Sequence, residues 1–242
     1  MPILREFDLD IPYVSDEKAI QNIMDELNFE YFEATRYDYE KTWKLKRMRF
    51  RDEIRCVASL YTRFFEKYKT EDCWKIMPNC VEYISRMIPV SVGGVYEVDI
   101  KLDIDSFLKL DDYNKKKQTL ELLMNGIDKV LETTGWDRTP FDDAYKKVKD
   151  CDYENIWMWK KPLKSPRKDY IAQVICEHNV TSFKIFILIK TRIGEEIEKS
   201  LIKTEKPNEF DYTKHFGELK WISDKEVVLV NKDGTEQWGV RL

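Results

Sequence analysis

Tyr170-Ile-Ala-Gln-Val-Ile-Cys176 and Ser182-Phe-Lys-Ile-Phe-Ile-Leu-Ile-Lys-Thr191, separated by His178-Asn179, are the stretch on which the fold turns. Both are short apolar runs rich in β-branched and aromatic residues, bounded by turn formers, and such runs read as strands. The pattern repeats to the C-terminus. Residues 196–203, 219–222, 227–231 and 237–242 are strand-like, with Ile193-Gly194, Ser223-Asp224 and Lys232-Asp233-Gly234 between them. Asp233-Gly234 is the strongest hairpin turn. Consecutive strands joined by short turns predict an antiparallel meander.

Working back from this stretch, residues 160–168 are basic, carry Pro162 and Pro166, and follow Trp157-Met158-Trp159. They read as a loop and place a boundary between residues 1–159 and 160–242; whether the two parts share one core stays open. Before the boundary the period changes. Leu120, Leu123, Ile127, Val130 and Leu131 line one face of a long helix, which Asn114 would cap and Gly135 would end. Thr139-Pro140 starts another, with proline at the first helical position. Phe50, Ile54, Val57, Ala58, Tyr61, Phe64, Phe65 and Tyr68 mark a third helix, closed by residues 70–72. Near the N-terminus, residues 3–11 alternate as a strand does, and Ser15 looks like the cap of a helix carrying Ile20, Ile23 and Leu27. Residues 29–49 fit period 2 and period 3.6 equally. Residues 95–104 alternate apolar and charged, the best strand of the first half. The expected class is therefore α+β: helices and short strands first, then an antiparallel meander.

The chain has 242 residues, 41 basic against 45 acidic, for a net charge of -4. That balance argues against a strongly cationic nucleic-acid wrapper, and aromatics at 13% argue against disorder. No run of about 18 apolar residues exists to span a membrane. The opening residues carry acids early and lack an apolar run, so no secretory signal is expected and a cytoplasmic setting is.

Four signals could carry chemistry. The first is the basic, aromatic run from Lys41 to Arg51. Residues 41–55 hold seven basic and two acidic residues. It reads first as a solvated stretch beside a core helix, then as a surface for an acidic protein, and last as a nucleic-acid surface. The second is the acidic strand bearing Glu97, Asp99, Asp103 and Asp105. Its bland reading is a solvated strand face; it would also serve as a partner-binding surface. Asp99-Ile100-Lys101 would suit a metal-dependent nuclease, since carboxylates hold Mg²⁺ and a lysine steadies the attacking water, though no clear further acid completes the set.

The third is the pair Cys176 and His178, which share a strand face and could meet as thiol and imidazole. No serine or cysteine stands in a nucleophile elbow, and no phosphate loop is present. The other cysteines, Cys56, Cys73, Cys80 and Cys151, are widely spaced and read as reduced thiols rather than zinc ligands. No metal or other cofactor is expected. The fourth is the tryptophans. Trp221 and Trp238 alternate like core residues; Trp157 and Trp159, near the boundary, read as interface anchors.

Two stretches taken together carry a resemblance. One is Val95-Tyr-Glu-Val-Asp-Ile-Lys-Leu-Asp-Ile-Asp105 with the following helix and Gly135-Trp136-Asp137. The other is Gly217-Glu-Leu219-Lys-Trp221 with Val227-Val228-Leu229-Val230 and Lys232-Asp233-Gly234. The layout is similar to that of bacterial immunity proteins of polymorphic toxin systems of the contact-dependent inhibition type, and covers about half the chain. It implies a non-enzymatic protein-binding module that neutralises a cognate toxin by direct binding. The implied partner is a toxin domain, for which nucleases are a common kind; no membrane or nucleic-acid partner is expected. The family carries no fixed site residues, so the expected partner surface rests on Glu97, Asp99, Asp103, Asp105, Trp157 and Trp159. The alternative is a nucleic-acid-processing enzyme using Asp99 and Lys101.

Overall fold

The computed structural model describes residues 1–242, which divide into two units, Met1–Tyr153 and Glu154–Leu242. In the first, the alternating N-terminal residues form β1 (Ile3–Leu4) and β2 (Glu6–Phe7). Helix α1 (Glu17–Leu27) follows. Its cap is Asp16 rather than Ser15: the Asp16 carboxylate accepts from the Lys18 and Ala19 N–H groups. The ambiguous residues are helical. Helix α2 (Tyr31–Asp38) runs through a π-helical segment, Tyr39–Trp43, directly into α3 (Lys44–Phe64). Phe65 turns to extended backbone and ends α3 before the expected 70–72 stop.

Six short strands follow: β3 (Tyr68–Lys69), β4 (Lys75–Ile76), β5 (Asn79–Val81), β6 (Val90–Val92), β7 (Val95–Glu97) and β8 (Asp99–Lys101). The order β2-β4-β7-β6 makes a sheet in which β2, β4 and β7 are parallel and β6 returns antiparallel along the edge. The parallel pairing continues through β5 and β8 and through a bridge from Asp10 to Asn79. Residues 95–104 are thus not one strand. The strand breaks at Val98, stops at Lys101, and Asp103 caps α4 (Ile104–Leu108).

Helix α5 (Asp112–Thr134) is capped by Asp111, not Asn114, and ends on Gly135 in the left-handed conformation, φ 68°. Gly126 within it has no room for a side chain: a Cβ there would stand 2.1 Å from Pro78 Cγ. Helix α6 (Thr139–Asp150) starts with Pro140 in its first turn. Helices α3 and α6 close the core around Phe7, Tyr61, Phe65 and Phe141, whose rings meet at centroid separations of 4.7–6.2 Å.

The second unit opens with β9 (Asn155–Lys164), where a basic loop was expected. Pairing with β10 (Tyr170–His178) slips between Trp159 and Leu163, and Lys160 takes φ 57°. Such a bulge is where a strand tolerates proline, here Pro162. β11 (Phe183–Thr191) and β12 (Glu196–Glu205) complete an antiparallel meander. After the single-turn α7 (Glu209–Tyr212), β13 (Glu218–Ser223), β14 (Glu226–Val230) and β15 (Gln237–Arg241) form a three-stranded sheet. Both sheets contribute to one buried cluster that includes Val174, Cys176, Ile185, Ile187, Val227, Leu229 and Val240. The class is α+β. No helix is long and apolar enough to cross a membrane.

Candidate functional site

Of the predicted acidic surface only Asp99 is buried, Glu97 is half-buried and Asp103 and Asp105 are exposed; Asp99 belongs to a buried, compensated layer. Strand alternation puts Glu6, Asp8 and Asp10 on one face of the parallel sheet, beside Lys75 and Asn79 of the next strand and Glu97 and Asp99 of the third. Asp8, Asp10, Lys75, Asn79 and Asp99 are all buried. Charge in such a place must be paired, and the basic run supplies the partners. Arg47 forks onto Asp10, Arg55 Nη1 reaches Asp8 Oδ2 at 2.7 Å, and Lys75 Nζ bridges Glu6 (2.7 Å) and Asp8 (3.1 Å). Lys46 pairs with Asp105, Lys44 with Glu40, and Arg49 with Glu53, which also holds the buried Lys115. Three cations of the 41–55 run, Arg47, Arg49 and Arg55, thus meet buried acids, whereas Lys44 and Lys46 form surface pairs and Lys41 and Arg51 are exposed.

Asp99 is 4% exposed and does not lie on a solvated face. Its Oδ2 accepts from the Ser85 N–H (3.0 Å), the Ser85 hydroxyl (2.9 Å) and the Arg86 N–H (2.7 Å). Burial alone would raise its pKa. The hydrogen bonds from Arg86 and Ser85 together outweigh that, and the pKa falls below the ordinary aspartate value. Glu97 accepts from Arg86 Nη1 at 2.8 Å and from Asn79 at 3.2 Å. Both acids therefore grip one loop, residues 82–89, and the Asp99 N–H closes the grip on the Arg86 carbonyl at 3.2 Å. Lys101 is exposed, and no group of three or more acids, histidines or cysteines is arranged to hold a metal ion.

The gripped loop and β6 carry Tyr83, Ile84, Met87, Ile88, Val90 and Val92, exposed by 42–87%. Six large apolar side chains in ten residues exceed what scattered surface residues provide. Asp103 rims this region: with Glu82, Tyr83, Lys101 and Leu102 it lines a cavity of about 330 Å³. Asp105, in the first turn of α4, forms an ion pair with Lys46 at 2.7 Å. The expected residues Glu97, Asp99 and Asp103 thus do converge, but two of them support a surface instead of forming it. The sequence reads as short strands or loops between Cys73 and Val92, as found, but does not mark the loop as a surface because its apolar residues follow neither period. The available signal was that apolar residues between Pro78 and Pro89, outside any helix or long strand, have no core to enter.

Trp157 and Trp159 belong to β9 and lie half-buried against the core of the second unit, Trp157 beside Phe183 and Trp159 stacked on Phe216 at 5.1 Å. They pack as core residues of that unit and are not free anchors. Cys176 and His178 do share the inner face of β10, yet the imidazole sits among Trp157, Phe183 and Tyr212 and its Nε2 donates to the Pro207 carbonyl at 2.9 Å. The second histidine, His215, is also buried, with Nε2 2.7 Å from Glu205 Oε1 and its ring edge-on to Trp238. Burial pushes the Cys56 thiol up to about 12 and Cys73 up to about 11, so neither is a ready thiolate. No family model, curated protein or solved structure matches this chain.

Proposed function

We propose that this chain is a non-enzymatic binding module that neutralises a cognate toxin domain by direct contact, in a cytoplasmic setting. The observation that carries the reading is the apolar loop at 83–92, held in place by Asp99 and Glu97. Ordering a loop on binding costs free energy, and a loop already fixed by the buried Asp99 and the half-buried Glu97 avoids that cost. Tyrosine and large aliphatic side chains raised on such a support are what an interface centre uses. Asp103, Glu82 and Lys101 would form its polar rim.

Expression of whatever toxin domain the neighbouring gene encodes, with and without this protein, tests the reading by cell survival. Rescue by the unaltered chain is expected, and Met87→Asp with Ile88→Asp should weaken binding by roughly 30-fold or more, as loss of an interface centre does. Toxicity without rescue overturns the reading. Rescue that survives both substitutions moves the interface away from the loop.

A further inference from the structure

The second unit holds a small cationic cavity that plays no part in the toxin reading. Lys164 at the end of β9, Lys168 in the following turn, Arg192 just past β11, and Ile171 line about 270 Å³. The backbone fixes this rim. The Ser165 N–H donates to the Tyr170 carbonyl at 2.9 Å, the Tyr170 N–H to Ser165 Oγ at 3.2 Å, and the Lys168 N–H to the Ser165 carbonyl at 2.9 Å. Across the rim, the Arg192 N–H donates to the Asp169 carbonyl at 3.0 Å. Ile171 stands in register between Lys164 and Lys190, which places those two cations two strands, or roughly 10 Å, apart.

No carboxylate lines the cavity. Arg167, its basic neighbour, is paired with Asp224 at 2.9 Å, whereas Lys164, Lys168 and Arg192 pair with no acid. Asp169 touches the rim through its carbonyl, and Glu195 and Glu196 stand on the turn beyond Arg192. Three cations converging on one concavity repel, and an oxyanion relieves that repulsion. Guanidinium offers a fork matched to phosphate, and the two ammonium groups add point-charge donors. The volume is several times the roughly 30 Å³ share of one water, enough for a phosphate and the first atoms of its ester, with Ile171 as the apolar contact.

We propose that Lys164, Lys168 and Arg192 bind a phosphate group, free or as a small monoester. The test is a titration of the isotope-labelled full chain with inorganic phosphate at constant ionic strength, followed through its amide resonances. Saturable shifts confined to residues 165–171 and 190–195 are expected, with Arg192→Gln and Lys168→Gln each weakening the affinity about tenfold. Arg192→Lys should fall between them and the parent. These side chains are exposed, so unchanged spectra elsewhere will report intact folding. Shifts that never saturate, that chloride reproduces, or that persist unweakened in Arg192→Gln overturn the site. Phenyl phosphate serves as the second arm: tighter binding than inorganic phosphate assigns a monoester, and equal binding assigns the bare anion.

Discussion

The two units solve the problem of a buried sheet in opposite ways. In the second unit the faces turned inward are mostly apolar, and their buried polar exceptions, His178 and His215 among them, are neutralised by hydrogen bonds and not by a layer of charges. In the first, one face of the parallel sheet is a layer of carboxylates met by Lys75, Arg47, Arg55 and Arg86. An apolar core loses stability in proportion to the atoms removed. A buried ion layer fails when one partner is left alone, because the remaining charge stays out of water without compensation.

The largest expected effect follows from that contrast. Asp8→Ala removes the buried acceptor shared by Arg55 and Lys75, leaving Lys75 to Glu6, and should cost about 3–5 kcal/mol in denaturant unfolding of the first unit. Ile187→Ala removes a core side chain of the second unit and should cost about 2–4 kcal/mol there. If the Asp8 variant proves the milder of the two, the charged layer is hydrated and the contrast fails. If the two variants shift the same single transition, the units unfold as one.

Asp99→Asn should act more locally, at about 1–2 kcal/mol, the worth of charge-assisted hydrogen bonds to one carboxylate. Its readout is hydrogen exchange at the Ser85 and Arg86 amides. The sign with pH follows from the lowered pKa in the fold. The ordinary, unfolded value is about 3.9. The carboxylate's contribution is fully present above that value and is lost as pH falls through the lower folded value. Exchange at these two amides should therefore quicken in acid in the parent, and the Asn variant should lose that dependence. Smallest is the exposed pair Lys44–Glu40, 2.6 Å and well solvated, whose removal should cost no more than about 0.5 kcal/mol. A larger loss would mean that surface pairs, too, hold up the first unit.

The same contrast decides what could be read without coordinates. The meander was legible because alternation and turns at Asp233-Gly234 and Ile193-Gly194 report directly on an antiparallel sheet with an apolar inner face. In the first unit the rule that charge lies outside misleads. Asp8, Asp10 and Asp99 look solvated by alternation, and only the arrival of Arg47, Arg55 and the Ser85–Arg86 amides makes their burial tolerable. Cap residues were misplaced by one position at Ser15 and by three at Asn114 for a local reason: Asp16 and Asp111 stand close by, and neighbouring side chains compete for the same N–H groups. Lys160 to Lys164 read as loop because a bulge admits the proline that ordinary pairing forbids. The loop at 83–92 was the hardest, since its order comes from Glu97 and Asp99 outside it, whose alternation reads as a solvated strand face.

The π-helical segment at Tyr39–Trp43 sets how this chain can change length. A π turn holds one residue more than the α-helix around it, and each helical residue turns the chain by about 100°. Losing one residue there removes the extra one, so α2 and α3 close into ordinary helix with both flanks still in phase. The Tyr13 hydroxyl, 2.6 Å from the Asp38 carboxylate, keeps its acceptor, and α2 keeps its face toward α1. A single-codon deletion in this segment is therefore absorbed, as one in the turn at Gly194 or Gly234 is, whereas one in the middle of α3 would turn everything before it by about 100°.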